Sequence, residues 1–445
     1  VTPSEAETFP HRVLVIAYVW PEPRSSAAGV RTEQLINDLR QAGGSVTVAS
    51  ASKQNEASAE LEAKGIRCVP ILLNDSSFNV WMREEKFDFV LFDRFISEEQ
   101  FGWRVLEASP QTVRIMDSSD LHFLRRTRQK ALKNGAPLSD IFSDRLDFLS
   151  DDAFREVASI YRCDLTLLVS DHECALLRER FELAPHLLKH LPIGYPAATL
   201  TGLPGFSERR GFATIGNFRH PPNADGNRWL KKEIWPRIRA ALPHAEMHIY
   251  GAYPAREDMG LTDPSQGFYV KGPVPNALEA LTPHRVILAP LRFGAGIKGK
   301  IADAWRSGAP VVTTPIGAEG MSSFGRTFGG SIAGSVEYFA KQAVLLHESA
   351  EHWESARRVG VRTLAEQLNA ETLGKDFIDS LLELKKNLHA HRSKSFISRV
   401  LSQQAFQGTK YFSKWIEAKS LLENSAAQID LIHEGADDDR VSATP

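Results

Sequence analysis

Twice along this chain, short apolar runs alternate with stretches of helical periodicity, and that repeated alternation restricts the fold more than any other feature. The runs Arg12–Tyr18, Ser45–Ala49, Ile66–Leu72, Phe87–Phe92, Val113–Met116 and Leu165–Ser170 are short and nearly continuous in apolar side chains. Strands buried on both faces read this way, and strands separated by helices pair in parallel. Among the intervening helices, Val30–Gln41 places Leu35, Ile36 and Leu39 on one face and closes on Gly43 and Gly44; Ser143–Ile160 and Asp171–Phe181 are read as two more. A second cycle opens at Gly211–Gly216 and passes through Glu246–Tyr250, Tyr269–Lys271, Val286–Pro290 and Pro310–Thr313, with an amphipathic helix over Ala224–Leu242. The expectation is an α/β chain of two Rossmann-like domains. The first covers 11–195, a Pro-, Gly- and Thr-rich linker 196–210, and the second domain 211–390. A helical extension follows over 391–430, then an acidic tail without fixed structure over 431–445.

Composition supports two packed cores and excludes several partners. The 445 residues are 42% hydrophobic and 24% charged, which suits a folded protein. Lys plus Arg number 53 against 55 Asp plus Glu, so no global charge favours nucleic acid, and any anion site must be local. Three cysteines, Cys68, Cys163 and Cys174, lack the paired spacing of a zinc site or a disulfide framework, which fits a reducing compartment. No run approaches the ~20 apolar residues that cross a bilayer, and a cytoplasmic location is expected.

The sharpest motif is APLRFGAGIKGKIADAWRSGAPVVTTPIGAEG, Ala289 to Gly320. A strand turns through Gly294, Gly296 and Gly299 and enters a helix near Lys300. Glycines let backbone N–H groups approach an anion, and the helix start adds partial positive charge. With Lys298 and Lys300 beside them, a diphosphate is the natural occupant; the alternative is an ordinary strand-to-helix turn with solvent-facing lysines. The spacing matches neither the P-loop nor the dinucleotide fingerprint. Asp303, early in the helix, is either a ribose acceptor or a carboxylate placed against the helix dipole.

This segment resembles the C-terminal domain of retaining glycosyltransferases of the GT-B fold, family four, also called glycosyl transferases group 1. The resemblance extends through ATIGNFRHPPNADGNRWL (Ala213–Leu230), PRIRAALPHAEMHIYG (Pro236–Gly251) and KGPVP (Lys271–Pro275). It is looser in PEPRSSAAGVRTEQLINDLRQAGGSVTV (Pro21–Val48), RIMDSSDLHFLR (Arg114–Arg125) and CDLTLLVSDHECALL (Cys163–Leu177). It implies two domains facing across a cleft, with a nucleotide-diphosphate sugar gripped by the second and a polysaccharide or glycolipid acceptor entering from the first. It implies no cofactor, no metal and no protein nucleophile. Relatives carry two glutamates on this turn and helix; here Ala295 takes the first position and Asp303 the second.

On this reading Gly216, Asn217, Gly294, Ala295, Gly296, Ile297, Lys300, Asp303 and Glu319 bind the donor, with Arg219 and Lys298 as the catalytic cations. Gly29 and Arg31 sit where a loop becomes a helix and face either phosphate or solvent. Asp117, Asp120 and His122 follow a strand, where Asp120 and His122 orient the sugar or accept a proton; the alternative is a hydrogen-bonded loop. Tyr411 and Trp415 are read as helix packing. The basic stretch Lys385, Lys386, His389, His391, Arg392, Lys394 is either a solvated helix end or a patch that meets an anionic membrane. A nucleotide-sugar-binding protein without catalysis and a sugar-nucleotide epimerase are the competing readings. Oligomeric state is not legible.

Overall fold

The computed structural model describes residues 8–441, apart from 24–25, 198 and 322–326, and the side chains of 404–407 and 424–441 are likewise outside the description. Two parallel sheets organise the chain. The first contains β1 (Arg12–Ala17), β2 (Ser45–Ser50), β3 (Arg67–Pro70), β4 (Phe89–Asp93), β5 (Val113–Asp117), β6 (Leu165–Leu168) and β7 (Leu188–His190). The second contains β8 (Arg210–Ile215), β9 (Met247–Tyr250), β10 (Phe268–Gly272), β11 (His284–Ala289), β12 (Val311–Thr313) and β13 (Gly330–Ile332). Their orders are β3-β2-β1-β4-β5-β6-β7 and β10-β9-β8-β11-β12-β13. Both sheets therefore reverse direction beside their own first strand, between β1 and β4 and between β8 and β11, where open parallel sheets bind ligands.

The apolar runs become strands because each is covered on both faces. β4 and β5 are buried at every residue. In the first domain, Val13 and Val15 pack with Leu35, Ile36 and Leu39, while Leu14 and Ile16 pack with Phe78, Phe92 and Phe95 on the other side. The second sheet splits its core in the same way. β7 and β13 were not anticipated; each is a three-residue edge strand with partly exposed, mixed side chains, too short to show a period.

Two helices differ from expectation for local reasons. The stretch Ala224–Leu242 is interrupted: Pro221–Trp229 and Trp235–Ala241 flank a π turn at Leu230–Ile234. Pro236 brings no N–H, and the ladder slips beside it. The helix read from Ser143 starts at Asp151, where Ser150 caps it by accepting from the Ala153 N–H.

The chain crosses between domains twice, side by side. Tyr195 N donates to Leu368 O and Ala370 N donates to Tyr195 O. Gly194 lies beneath this crossing, and a Cβ there would sit 2.6 Å from Ala370 Cα. The helix Ala370–Lys386 consequently belongs to the first domain, where Phe377, Ile378 and Leu381 join the core of Leu35, Ile36 and Leu39. This corrects the sequence-based boundary at 390 to about 368. The basic stretch is likewise engaged: Lys385 pairs with Asp88 at 3.1 Å, and Arg392 and His391 bind the buried Asp164. Its cations fasten the returning helices to the first domain.

The final helix, Phe396–Val441, runs on through residues expected to form a tail; 442–445 lie outside the described residues. It rests on the helices Arg94–Ala108 and Asp151–Arg162, with Arg104 Nη2 donating to Ser413 Oγ and Lys410 pairing with Glu107. Tyr411 and Trp415 do not pack as expected: they are 65% and 59% exposed. Fully buried Phe377 gives a direct test of the chain's return. Phe377→Ala should cost the first domain about 3–5 kcal/mol, read as a lowered denaturant midpoint.

Candidate functional site

The second sheet's reversal point brings together two loops that are far apart in sequence. The loop after β8 carries Gly216, Asn217, Arg219 and His220; the loop after β11 carries Gly294 to Lys298 and feeds the helix Gly299–Arg306. They meet at Lys300, whose Nζ donates to Asn223 Oδ1 at 2.8 Å, and a Cβ on Gly216 would stand 3.0 Å from that ammonium. Asn217 Oδ1 accepts from the Arg219 N–H, and the Arg219 guanidinium lies 4.2 Å from the Tyr253 ring centroid.

Both lysines of the turn are drawn in, contrary to the solvent-facing alternative. Lys298 is buried at the helix start and donates to Gly296 O at 2.5 Å. Burial pushes the Lys298 ammonium below its ordinary value. Burial and the charge of Lys298 bring Lys300 down to about 8. Among the described residues, neither ammonium forms an ion pair with a carboxylate. Asp303, on the same helix, accepts from Arg306 at 3.2 Å, and burial raises its carboxyl.

The turn also docks onto the first domain. Gly296 N donates to Glu173 Oε1 at 2.9 Å, and Gly294 O accepts from Arg128 Nη1 at 2.8 Å. Gly296 has φ 65°, which favours glycine, and a Cβ there would press within 3.0 Å of Asp120 Cβ. Ala295 is buried in the first domain's core cluster, while Ile297 packs with Val169 in a cluster that spans both domains.

Around the turn, first-domain charges are tightly paired. Asp120 is held by Arg125 Nε at 2.6 Å and faces His122 Nε2 at 3.5 Å. Burial alone would raise Asp120, but Arg125 and His122 outweigh it and hold the carboxyl below the carboxylate range. Burial takes His122 down to about 4, leaving it neutral near pH 7. Glu156 receives the His122 and Phe123 N–H groups, and Glu173 receives that of Leu121. Among the described residues, Glu173 Oε2 has no hydrogen-bond partner. Gly29 lies in the first turn of the helix Ala27–Gln41, where its N–H bonds the capping Ser26. Arg31 turns inward to the buried Asp117 at 3.3 Å and to Pro192 O, so it holds the domain together and presents nothing to solvent.

Glu319 was expected to reach the donor or lie in solvent. It does not lie in solvent: its two oxygens take Arg128 Nη2 at 2.7 Å and Nη1 at 2.8 Å. Arg128, fully buried, also chelates Asp144, which in turn meets His172 Nε2 at 2.8 Å. Asp144, His172 and Glu319 lie within 4.8 Å of one another, a spacing that suits a cation; the Arg128 guanidinium already fills that role. Arg128, Asp144, His172 and Glu173 were missed in the sequence because the first domain's loops carry no spacing signal that ties them to Glu319.

Two reversed Rossmann sheets joined by a double crossing, with an anion-type turn at the second switch point, define a two-domain GT-B architecture. Residues 209–349, within the second domain, match the family model described as glycosyl transferases group 1. No curated protein matches the chain. Solved structures do. A glycosyltransferase from Rickettsia africae superposes with TM-score 0.64 at 10% identity, covering 85% of this chain and 99% of the other. Anabaena HepE, in complex with UDP and glucose, gives 0.62 at 10% identity, over 84% and 100%. Sucrose-phosphate synthase from Thermosynechococcus elongatus gives 0.61 at 12% identity, over 85% and 99%. At such identities the likeness is one of fold.

The interdomain cluster makes closure pH-sensitive. Burial would lower His172, but its bond to Asp144 and the charge of Glu319 raise its pKa above the ordinary value. Protonated His172 therefore stabilises the closed form fully below about pH 6.5, and that contribution is lost as pH rises through the raised pKa. His172→Gln should flatten the melting temperature between about pH 6 and 9, where the wild type declines; parallel curves would remove His172 from the cluster.

Proposed function

We propose that the chain transfers a hexose-type sugar from a nucleotide-diphosphate donor to a carbohydrate or lipid-linked acceptor, with retention and without a bound metal. The observation that carries this reading is the pair of lysines at the start of a helix on the switch point, Lys298 buried and Lys300 half-buried, neither ion-paired with a carboxylate among the described residues. Lys298, depressed by burial, and Lys300, depressed by burial and by the charge of Lys298, gain most from an arriving dianion, whose charge restores theirs.

In the transfer, the bond between the anomeric carbon and the diphosphate oxygen breaks. The sugar gains oxocarbenium character as the leaving oxygen gains charge. Lys298, Lys300 and the helix-start amides would stabilise that charge, with Arg219 swinging from Tyr253 to join them. The acceptor hydroxyl would attack on the face the diphosphate leaves, passing its proton to the leaving phosphate. Asp120, ionised and packed against Gly296, is placed to accept from a sugar hydroxyl; neutral His122 orients it. Donor entry requires the Arg128–Glu319 contact to part about the crossing at Tyr195 and Ala370, since the turn is now packed against Asp120. A catalytically silent nucleotide-sugar binder is the second reading, favoured by Ala295, whose buried methyl offers a sugar no hydrogen bond.

A panel of nucleotide sugars, beginning with the UDP sugars that the HepE complexes suggest, tests this by calorimetry and by slow donor hydrolysis. Binding of no nucleotide overturns the reading; binding without turnover on any acceptor selects the silent binder. Lys298→Ala or Lys300→Ala should weaken diphosphate binding about tenfold or more, each removing one charge-assisted contact. Because binding needs the protonated form of Lys300, whose pKa is about 8, wild-type affinity should fall as pH climbs above that value. The Lys300→Ala protein should lose that slope.

A further inference from the structure

We propose that the outward face of the segment Tyr411 to Leu422, in the C-terminal helix Phe396–Val441, docks onto the surface of an anionic lipid bilayer. On this helix Tyr411 is 65%, Phe412 61%, Trp415 59% and Leu422 72% exposed. With about 100° between successive residues, Tyr411, Trp415, Ala418 and Leu422 share a stripe roughly 60° wide, edged by Lys414 on one side and Lys419 on the other. Phe412 stacks on Trp415 at 5.9 Å, widening the aromatic face. The opposite face is the one that packs: Ser413 is buried, donating to Asn74 Oδ1, and Glu417 accepts from Ser76 N.

A second element beside the helix also exposes apolar side chains. Asn74, held by Ser413, directly follows Leu72 and Leu73, which are 62% and 47% exposed. Large apolar side chains thus stand in water on two neighbouring elements, more than scattered surface residues account for.

The chemistry of the edges identifies the occupant. Trp and Tyr are most stable where an apolar body and a polar tip meet different media, and lysine stems lie along an apolar surface with their ammoniums at its aqueous edge. The acids near the stripe are spent or weakly placed: Glu417 faces inward, and Glu423 meets Lys419 only at 3.7 Å. Lys414 is exposed and, among the described residues, forms no ion pair. The outward sector is therefore apolar at its centre and cationic at its rim, complementary to a headgroup layer bearing phosphate. A second copy of the chain would instead bring like-charged rims together. No described helix is long and apolar enough to cross a membrane, so the helix would lie along the surface.

Co-sedimentation with phosphatidylcholine vesicles, with and without phosphatidylglycerol, tests this on the full chain. Binding is expected on the anionic vesicles and should weaken with salt. The triple substitution Tyr411→Ser, Phe412→Ser, Trp415→Ser should reduce it at least about tenfold, and Lys414→Glu with Lys419→Glu should remove the preference for anionic lipid. All these side chains are exposed, so melting temperature and donor hydrolysis should stay unchanged. Absence of wild-type binding, or equal binding by the variants, overturns the proposal. So does a dimer in sedimentation velocity that the serine substitutions dissolve, which would assign the face to a second copy.

Discussion

Arg128 holds the molecule in its present form. Its guanidinium, fully buried, is shared among Asp144 of the first domain, Glu319 of the second and the carbonyl of Gly294 on the glycine turn. A cation removed from water in this way is tolerable only when its donors are satisfied, and here carboxylates from both domains are needed to do it. Separating the domains would leave Asp144 as the carboxylate partner in contact with Arg128. The cluster thus couples the turn's position to domain closure, and His172 sets how firmly it holds as pH changes.

The same economy runs through the surroundings of the turn. Glu173 spans the domains by accepting from Leu121 N and Gly296 N, while Glu156 caps the start of the helix that carries His122 and Arg128. Carboxylates from the first domain therefore orient both the helix that reaches across and the loop that receives it. Among the described residues the two lysines of the turn form no ion pair with a carboxylate, which favours an anion there even though the chain as a whole carries a formal charge of only -2.

The return of the chain into the first domain is equally consequential. The helix Ala370–Lys386 completes the core under β1, and the paired strands of the crossing give two linkers in place of one. It also carries the final helix to the first domain's outer face, away from the glycine turn.

The sequence alone determined the parallel α/β architecture and its two cycles, because runs apolar on both faces have few other ways to be buried. It also located the turn at Gly294 to Lys300, since glycine conformation and adjacent lysines are local properties. It misplaced the domain end at 390, because Phe377 and Leu381 show the same helical period whichever core receives them. It did not anticipate the pairing of Glu319 with Arg128, and it read Tyr411 and Trp415 as helix packing although both are exposed. Helical spacing states which residues share a face, not what that face meets. Those questions were decided by tertiary structure: the pairing of Arg128 with Glu319 joins residues 191 positions apart, and such a contact leaves no trace in local periodicity.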